Sequence, residues 1–362
     1  MPRKFPRPIK RVVIKVGSSV IATYRMKPRV ARLRSLVEQI CQARQKNIDV
    51  VLVSSGAIVF GMGAMNHMTR NANLATLQAL AATGQTILMN KYLNFFKKHG
   101  SCCAQILLTW DDFDNRTRYN NARDTLNACF SNKIVPIVNE NDTISTEEIK
   151  FGDNDRLSAL VAGLIGADLL LLLSDVEGLY DIKDGTRYFF KEIKEITDEI
   201  ESIASGTKKK HIAKGGMIAK LEAIKIATHA NIPCIIANGE TEDVLSRVLG
   251  GERIGTFFSE KKEKLLARKH WISFGVKPKG FIIIDQGAQA ALLTGRRSLL
   301  LPGVVSWKGH FKQGDVVVVC DQVKHEIARG IVNYSIADLY QMKDKRGKLE
   351  AIHRDNLVLA QR

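Results

Sequence analysis

The chain has 362 residues, 45% of them apolar and 25% charged, with 54 Lys and Arg against 37 Asp and Glu for a formal charge of +17. That length suits about two domains, the composition excludes wholesale disorder, and the basic surplus favours anionic partners such as phosphates, nucleotides or nucleic acid. Six cysteines without a C-x-x-C pair and eight scattered histidines exclude a disulfide-stapled miniature and offer no zinc-ligand spacing; the cysteines read as small buried residues of a reducing compartment.

In chain order, the arm MPRKFPRPIKR carries five positive charges and no acid, and reads as a solvated, frayed terminus, with RNA contact as the alternative. RVVIKV follows as a buried strand, yet it holds Lys15, an ammonium that is costly to bury unless something negative meets it. Further apolar runs are VVLVSS, AQILLT, IVPIVN, DLLLLLS and CIIANG, with helical patterns between them at 29–46 and 74–100. The tract LSALVAGLIGADLLLLLS (157–174) approaches membrane-spanning length. Asp168 interrupts it and Gly166-Ala167 looks like a turn, so it reads as a buried helix followed by a buried strand. A soluble, cytoplasmic protein with no membrane contact is the expectation. Near-continuous apolar strands alternating with helices predict a mostly parallel sheet covered on both faces over residues 1–258. A charged linker at 259–275 precedes a small β-rich domain at 276–353 with one short helix near 287–294, and then a tail at 354–362.

In such a sheet, ligands sit beyond the carboxyl ends of the strands. Those ends carry Lys15-Val16-Gly17-Ser18-Ser19, Ser54-Ser55-Gly56-Ala57, Asn139-Glu140-Asn141-Asp142 and Ser174-Asp175-Val176-Glu177. Two more polar knots, Phe151-Gly152-Asp153-Asn154-Asp155 and Lys214-Gly215-Gly216-Met217, open helices, the second leading to Lys220. Glycine and serine at strand-to-helix junctions let backbone N–H groups approach an anion, and with Lys15 and Lys220 they point to a phosphate site. A structural alternative stands beside this reading: Asp155 could simply cap the helix that begins near Arg156. No Walker A motif, no G-x-G-x-x-G after the first strand and no G-x-S-x-G elbow occurs, which excludes three common classes by motif.

The motifs KVGSS, VSSGA, IVNEND, EIKFGDNDRLSAL, LLSDVEGLY and GGMIAKLEA resemble, in order, those of the glutamate 5-kinases within the amino-acid kinase family. The segment from GFIIID through IARGIVNY resembles the PUA domain attached to bacterial members. The resemblance implies a three-layer α/β/α sandwich with a mostly parallel central sheet plus a small β-rich PUA-like C-terminal domain. It implies ATP-dependent phosphorylation of the L-glutamate side-chain carboxylate, the first step of proline synthesis, with Mg²⁺ accompanying ATP. Carried over position by position, Lys15 and Lys220 would hold ATP phosphates and the transferring group, and Gly17 and Ser18 would offer backbone donors. Asp153 would orient the lysines. Ser55, Gly56, Asp142 and Asn154 would bind glutamate, while Ser174, Asp175, Lys214, Gly215, Gly216 and Met217 would border the nucleotide. No residue is assigned as a metal ligand. A homo-oligomer, dimer or tetramer, and RNA contact through the C-terminal domain are further implications. Alternatives are another amino-acid kinase, acting on aspartate, acetylglutamate, carbamate or UMP, or an RNA-binding protein. The sequence departs from the usual pattern at several positions: Lys214 replaces a threonine, Ile218-Ala219 stand where small hydroxyl residues often occur, Trp110 replaces an arginine and Ser174 a threonine.

Overall fold

The computed structural model describes residues 2–23, 27–65, 73–144, 153–205, 214–261, 267–295, 297–342 and 349–360, without the side chains of 153, 214, 215, 267 and 270. The chain forms two compact units, Met1–Lys264 and Leu265–Arg362.

In the first unit, β1 (Arg11–Val16) leads to α1 (Ser18–Ile21), α2 (Val30–Gln45), β2 (Asp49–Ser54), α3 (Ala57–Met65) and α4 (Leu74–Lys98). Then come β3 (Cys102–Leu108), α5 (Trp110–Asp114), α6 (Arg116–Ser131), β4 (Ile134–Glu140), α7 (Asp153–Ile165) and β5 (Leu169–Ser174). A small hairpin, β6 (Tyr180–Lys183) with β7 (Thr186–Phe189), precedes β8 (Glu192–Ile193), α8 (Asp198–Ser205), α9 (Lys214–His229), β9 (Cys234–Asn238), α10 (Val244–Leu249) and β10 (Thr256–Phe258). The eight-stranded sheet has the order β3-β4-β2-β1-β5-β9-β10-β8. Its pairs are parallel except β9 with β10, which is antiparallel.

Strand alternation separates the two faces. Val12, Ile14 and Val16 of β1, Val50 and Leu52 of β2, and Leu169, Leu171 and Leu173 of β5 share one core with α2, α4 and α10. The intervening residues, Lys15 among them, face the other layer, where α7 packs on β1 and against α9. Helices α3 and α4 pack backbone to backbone: a Cβ on Gly84 would lie 1.7 Å from the Ala57 carbonyl oxygen, and one on Gly61 2.0 Å from that of Leu80. The tract at 157–174 resolves into the end of α7 and all of β5, turning at Gly166 with φ +61°. Among the described residues no helix is long and apolar enough to cross a membrane.

The basic arm differs from the frayed terminus expected of it. Arg3 donates from its backbone to Gly251 and from its guanidinium to the carbonyls of Glu252 and Ile254. Arg7 donates to the carbonyls of Ala167 and Asn231, beyond the ends of α7 and α9, and pairs with Asp168 at 2.8 Å. Arg11 reaches the Ile165 carbonyl at 2.7 Å. Phe5 packs on the core and meets Phe257 edge-on. The arm's arginines are thus taken up by backbone carbonyls, several at or just beyond helix ends, together with the carboxylates of Asp168 and Asp49.

The second unit contains α11 (Ala267–His270), a π-helical turn at Trp271–Gly275, β11 (Gly280–Ile284), α12 (Gln286–Gly295), β12 (Leu299–Leu300) and β13 (Val304–Gly309). After these come β14 (Val316–Cys320), β15 (Glu326–Ile331), α13 (Ile336–Gln341), β16 (Glu350–Ile352) and β17 (Leu357–Leu359). Its main sheet runs β13-β11-β14-β15-β17, and β12 pairs with β16. The expected linker at 259–275 divides between the units. Ser259 and Lys261 bond to Ile193 and Thr228, whereas Ile272 is buried with Val276, Val316 and Val358, and Arg329 donates to the Ser273 carbonyl. The expected tail also differs, because Leu357 and Val358 are buried and β17 completes the sheet beside β15.

Candidate active site

The carboxyl ends of β1, β2, β4 and β5 lie side by side in the parallel part of the sheet, and the functional side chains gather above them. Lys15 is the penultimate residue of β1. Strand alternation turns it towards α7, whose first turn brings up Asp155. Asp155 Oδ1 meets Lys15 Nζ at 2.6 Å, and Oδ2 meets Lys220 Nζ, from α9, at 3.2 Å. Lys220 also donates to the Gly216 carbonyl at 3.2 Å. All three residues are buried: Lys15 is 5% exposed, Asp155 1% and Lys220 8%. One carboxylate thus bridges two ammonium groups, with little water to screen them. Burial pushes the Lys15 ammonium below its ordinary pKa, Asp155 pulls it back up, and Lys220 lowers it further. Such a site is built to accept a further anion.

The expected roles of two residues change here. Asp155, which the sequence allowed as a helix cap, holds both lysines; the side chain of Asp153, expected in that role, lies outside the described set. Gly17, expected as a backbone donor, already donates its N–H to the Leu173 carbonyl at 3.1 Å, which continues the β1–β5 pairing. Its lack of a side chain still matters, because a Cβ there would lie 3.4 Å from Lys15 Nζ. Ser18 opens α1 directly beyond it.

A second polar group lies beside the first. Asn154, the neighbour of Asp155, donates from Nδ2 to Ser55 Oγ and to Asn139 Oδ1, both at 2.9 Å. Asn139 Nδ2 in turn donates to Gln85 Oε1 at 2.9 Å. Asn154 Oδ1 is buried with no hydrogen-bond partner, so an acceptor beside Ser55 and Asn139 is left unused. Gly56 serves the fold here: φ is +109°, and a Cβ would strike Ile21 Cδ1 at 2.4 Å. Asp142 is half-buried in the turn after β4. Nearby, the Arg156 guanidinium stacks 3.3 Å from the centre of the Trp110 ring.

The third group lies at the end of β5. Ser174 donates to Asp175 at 3.0 Å, its carbonyl accepts from Gly239, and Asn238 bonds Glu177. The charge of Asp175 also raises the Lys15 pKa. Lys214, Gly215, Gly216 and Met217 form the first turn of α9, and the run KKKHIA before them lies outside the described residues. Among the described residues no three His, Cys, Asp or Glu side chains converge to hold a metal ion.

Two functional residues escaped the sequence reading. Asp155 was one of two carboxylates in GDND, and only the helix phase decides which faces β1. Gln85 was a lone amide in the apolar run of α4, a weak signal that a buried polar partner awaited it.

Comparison with known proteins gives three findings. The amino acid kinase family profile matches residues 10–238, and the PUA domain profile matches residues 280–355. The glutamate 5-kinase of Caldanaerobacter subterraneus is 42% identical, with 97% of this chain and 98% of that protein aligned. The glutamate 5-kinase of Dictyoglomus thermophilum is 44% identical, covering 98% of each. Among solved structures, the UMP kinase of Bacillus anthracis aligns at a TM-score of 0.49 and 15% identity, over 72% of this chain and 100% of its own.

Proposed function

Because this chain belongs to the amino acid kinase family, among the glutamate 5-kinases that carry a PUA domain, we propose that Lys15, Lys220 and Asp155 form its phosphoryl-transfer centre, moving the γ-phosphoryl group of ATP to the side-chain carboxylate of L-glutamate. The observation that carries this reading is the single buried carboxylate shared by two buried ammonium groups. Two ammonium groups converging in a dry site favour a phosphoryl group spreading charge over its oxygens.

The acceptor needs no general base. A glutamate side chain has a pKa of about 4.3, so its carboxylate is already nucleophilic at neutral pH. A carboxylate oxygen forms the new bond to phosphorus. The bond from phosphorus to the bridging oxygen breaks, and its electron pair stays on ADP. Lys15 and Lys220 hold the anionic oxygens in line, and Asp155 keeps the two ammonium groups apart and aimed. Ser55, Asn154 and Asp142 hold the amino acid; Ser174, Asp175 and the 214–217 turn border the nucleotide. Mg²⁺, arriving with ATP, would supply charge neutralisation on the phosphates. With both Asp155 oxygens taken by lysines and no described three-ligand cluster, this chain's part would be to bind a metal that arrives on the nucleotide. The six unpaired cysteines suit the reducing cytoplasm.

The test is acyl phosphate formation, trapped with hydroxylamine. Hydroxamate should form with L-glutamate and ATP, and fail with aspartate or acetylglutamate. Equal yield from another acid would replace the assigned substrate; no hydroxamate with any acid would sink the reading.

A further inference from the structure

The buried amides behind Asn154 form a directed relay, and its direction has a chemical consequence. Gln85 Oε1 accepts from Asn139, Asn139 Oδ1 accepts from Asn154, and both N–H groups of the Asn154 carboxamide are used, on Asn139 and Ser55. What Asn154 has left is Oδ1, buried and without a partner. An amide oxygen accepts hydrogen bonds and repels carboxylates, and a buried acceptor left unmet is costly. We infer that Gln85 and Asn139 are positioning residues for substrate recognition: through this relay they turn Asn154 so that it reads the α-ammonium of the amino-acid substrate. The inference rests on the glutamate-phosphorylating reading above and deepens it.

The placement fits one extended substrate. Asn154 and Asp155 are neighbours at the start of α7. A substrate whose ammonium meets Asn154 can send its side-chain carboxylate towards the lysines that Asp155 holds. Gln85 is set by the backbone: it follows Gly84, whose contact with Ala57 ties α4 to α3, directly after Ser55 and Gly56. The relay thus links the helix pair to the substrate end of the site, and Gln85 reaches it without touching substrate.

The experiment compares Gln85→Met, which removes the acceptor at similar size, with Gln85→Glu, which keeps an acceptor. Glutarate (glutamate without its ammonium) and 4-aminobutyrate (glutamate without its α-carboxylate) serve as competitive inhibitors. Gln85→Met should raise the KM for glutamate and the inhibition constant of 4-aminobutyrate by about tenfold, the worth of one hydrogen bond to a charged group. It should leave glutarate inhibition, the KM for ATP and kcat within about twofold, and Gln85→Glu should behave as wild type. Equal weakening of all three acids, or a raised KM for ATP, would reduce Gln85 to a structural role and overturn the inference. A penalty on glutarate alone, or Gln85→Glu as damaging as Gln85→Met, would mean that the relay runs the other way and offers an N–H to a carboxylate. If wild-type protein forms no hydroxamate from glutamate, the parent reading fails instead.

Discussion

Asp155→Asn leaves two buried ammonium groups facing a neutral amide. At the observed 2.6 and 3.2 Å, and an effective dielectric of about 20, the lost attractions are about 6 and about 5 kcal/mol. Much of that only offset desolvation, and removing one partner of a buried pair costs about 3–5 kcal/mol in practice. Without nucleotide, the first unit of the variant should therefore lose about 3–5 kcal/mol in urea unfolding. ATP brings negative charge to the same place, so saturating ATP should stabilise the variant more than it stabilises wild type. Turnover, read by the hydroxamate assay, should fall because the lysines are no longer held apart and aimed. A variant that loses less than about 1 kcal/mol and keeps near-normal turnover would refute the claim that Asp155 organises this site.

Other outcomes follow from the same geometry. The alkaline limb of kcat/KM, which reports the free enzyme, should lie below the ordinary lysine value of 10.5, and Asp155→Asn should move it lower still, since Asp155 raises the Lys15 pKa; a pH–rate profile with an unmoved limb would contradict this. Between the lowered pKa and 10.5, the unfolded chain binds the Lys15 proton more tightly than the folded one. This group's contribution to stability should therefore rise with pH across that window, and Lys15→Met, measured by unfolding against pH, should abolish that component. Gly84→Ala should cost about 2–3 kcal/mol by overpacking α3 against α4, read as a lowered Tm; an unchanged Tm would mean the helices separate freely. Arg7→Ala should cost about 1–2 kcal/mol, since three partners lose a donor; wild-type stability would return the arm to a loose terminus.

The strands were legible because β1, β2, β4, β5 and β9 are nearly continuous apolar runs, as parallel strands buried on both faces must be. Helices α2 and α4 followed from spacing, and the Gly166 turn followed from a glycine between two apolar runs. What stayed hidden depended on tertiary placement. β8 is too short to carry a pattern, and its docking beside β10 is set by the chain's return path. The arginines of the arm find backbone carbonyls as well as Asp168, and the carbonyls are a feature that no residue type announces. At the site, both lysines were legible as ammonium groups at a strand outlet and on a glycine-led helix. The carboxylate between them was not, because Asp153 and Asp155 differ by about 200° around a helix whose phase the sequence leaves open. Gln85 was hidden for the same reason: its partner Asn139 is on a strand that only the fold brings beneath it.

The central claim is that Lys15 and Lys220 together stabilise the moving phosphoryl group. Its most direct measurement is kcat for hydroxamate formation from L-glutamate by Lys15→Ala and Lys220→Ala, each checked for folding. Loss of an electrostatic donor of this kind lowers kcat by about two to three decades, and that is the result expected for each variant. Turnover near wild type in either one would contradict the account.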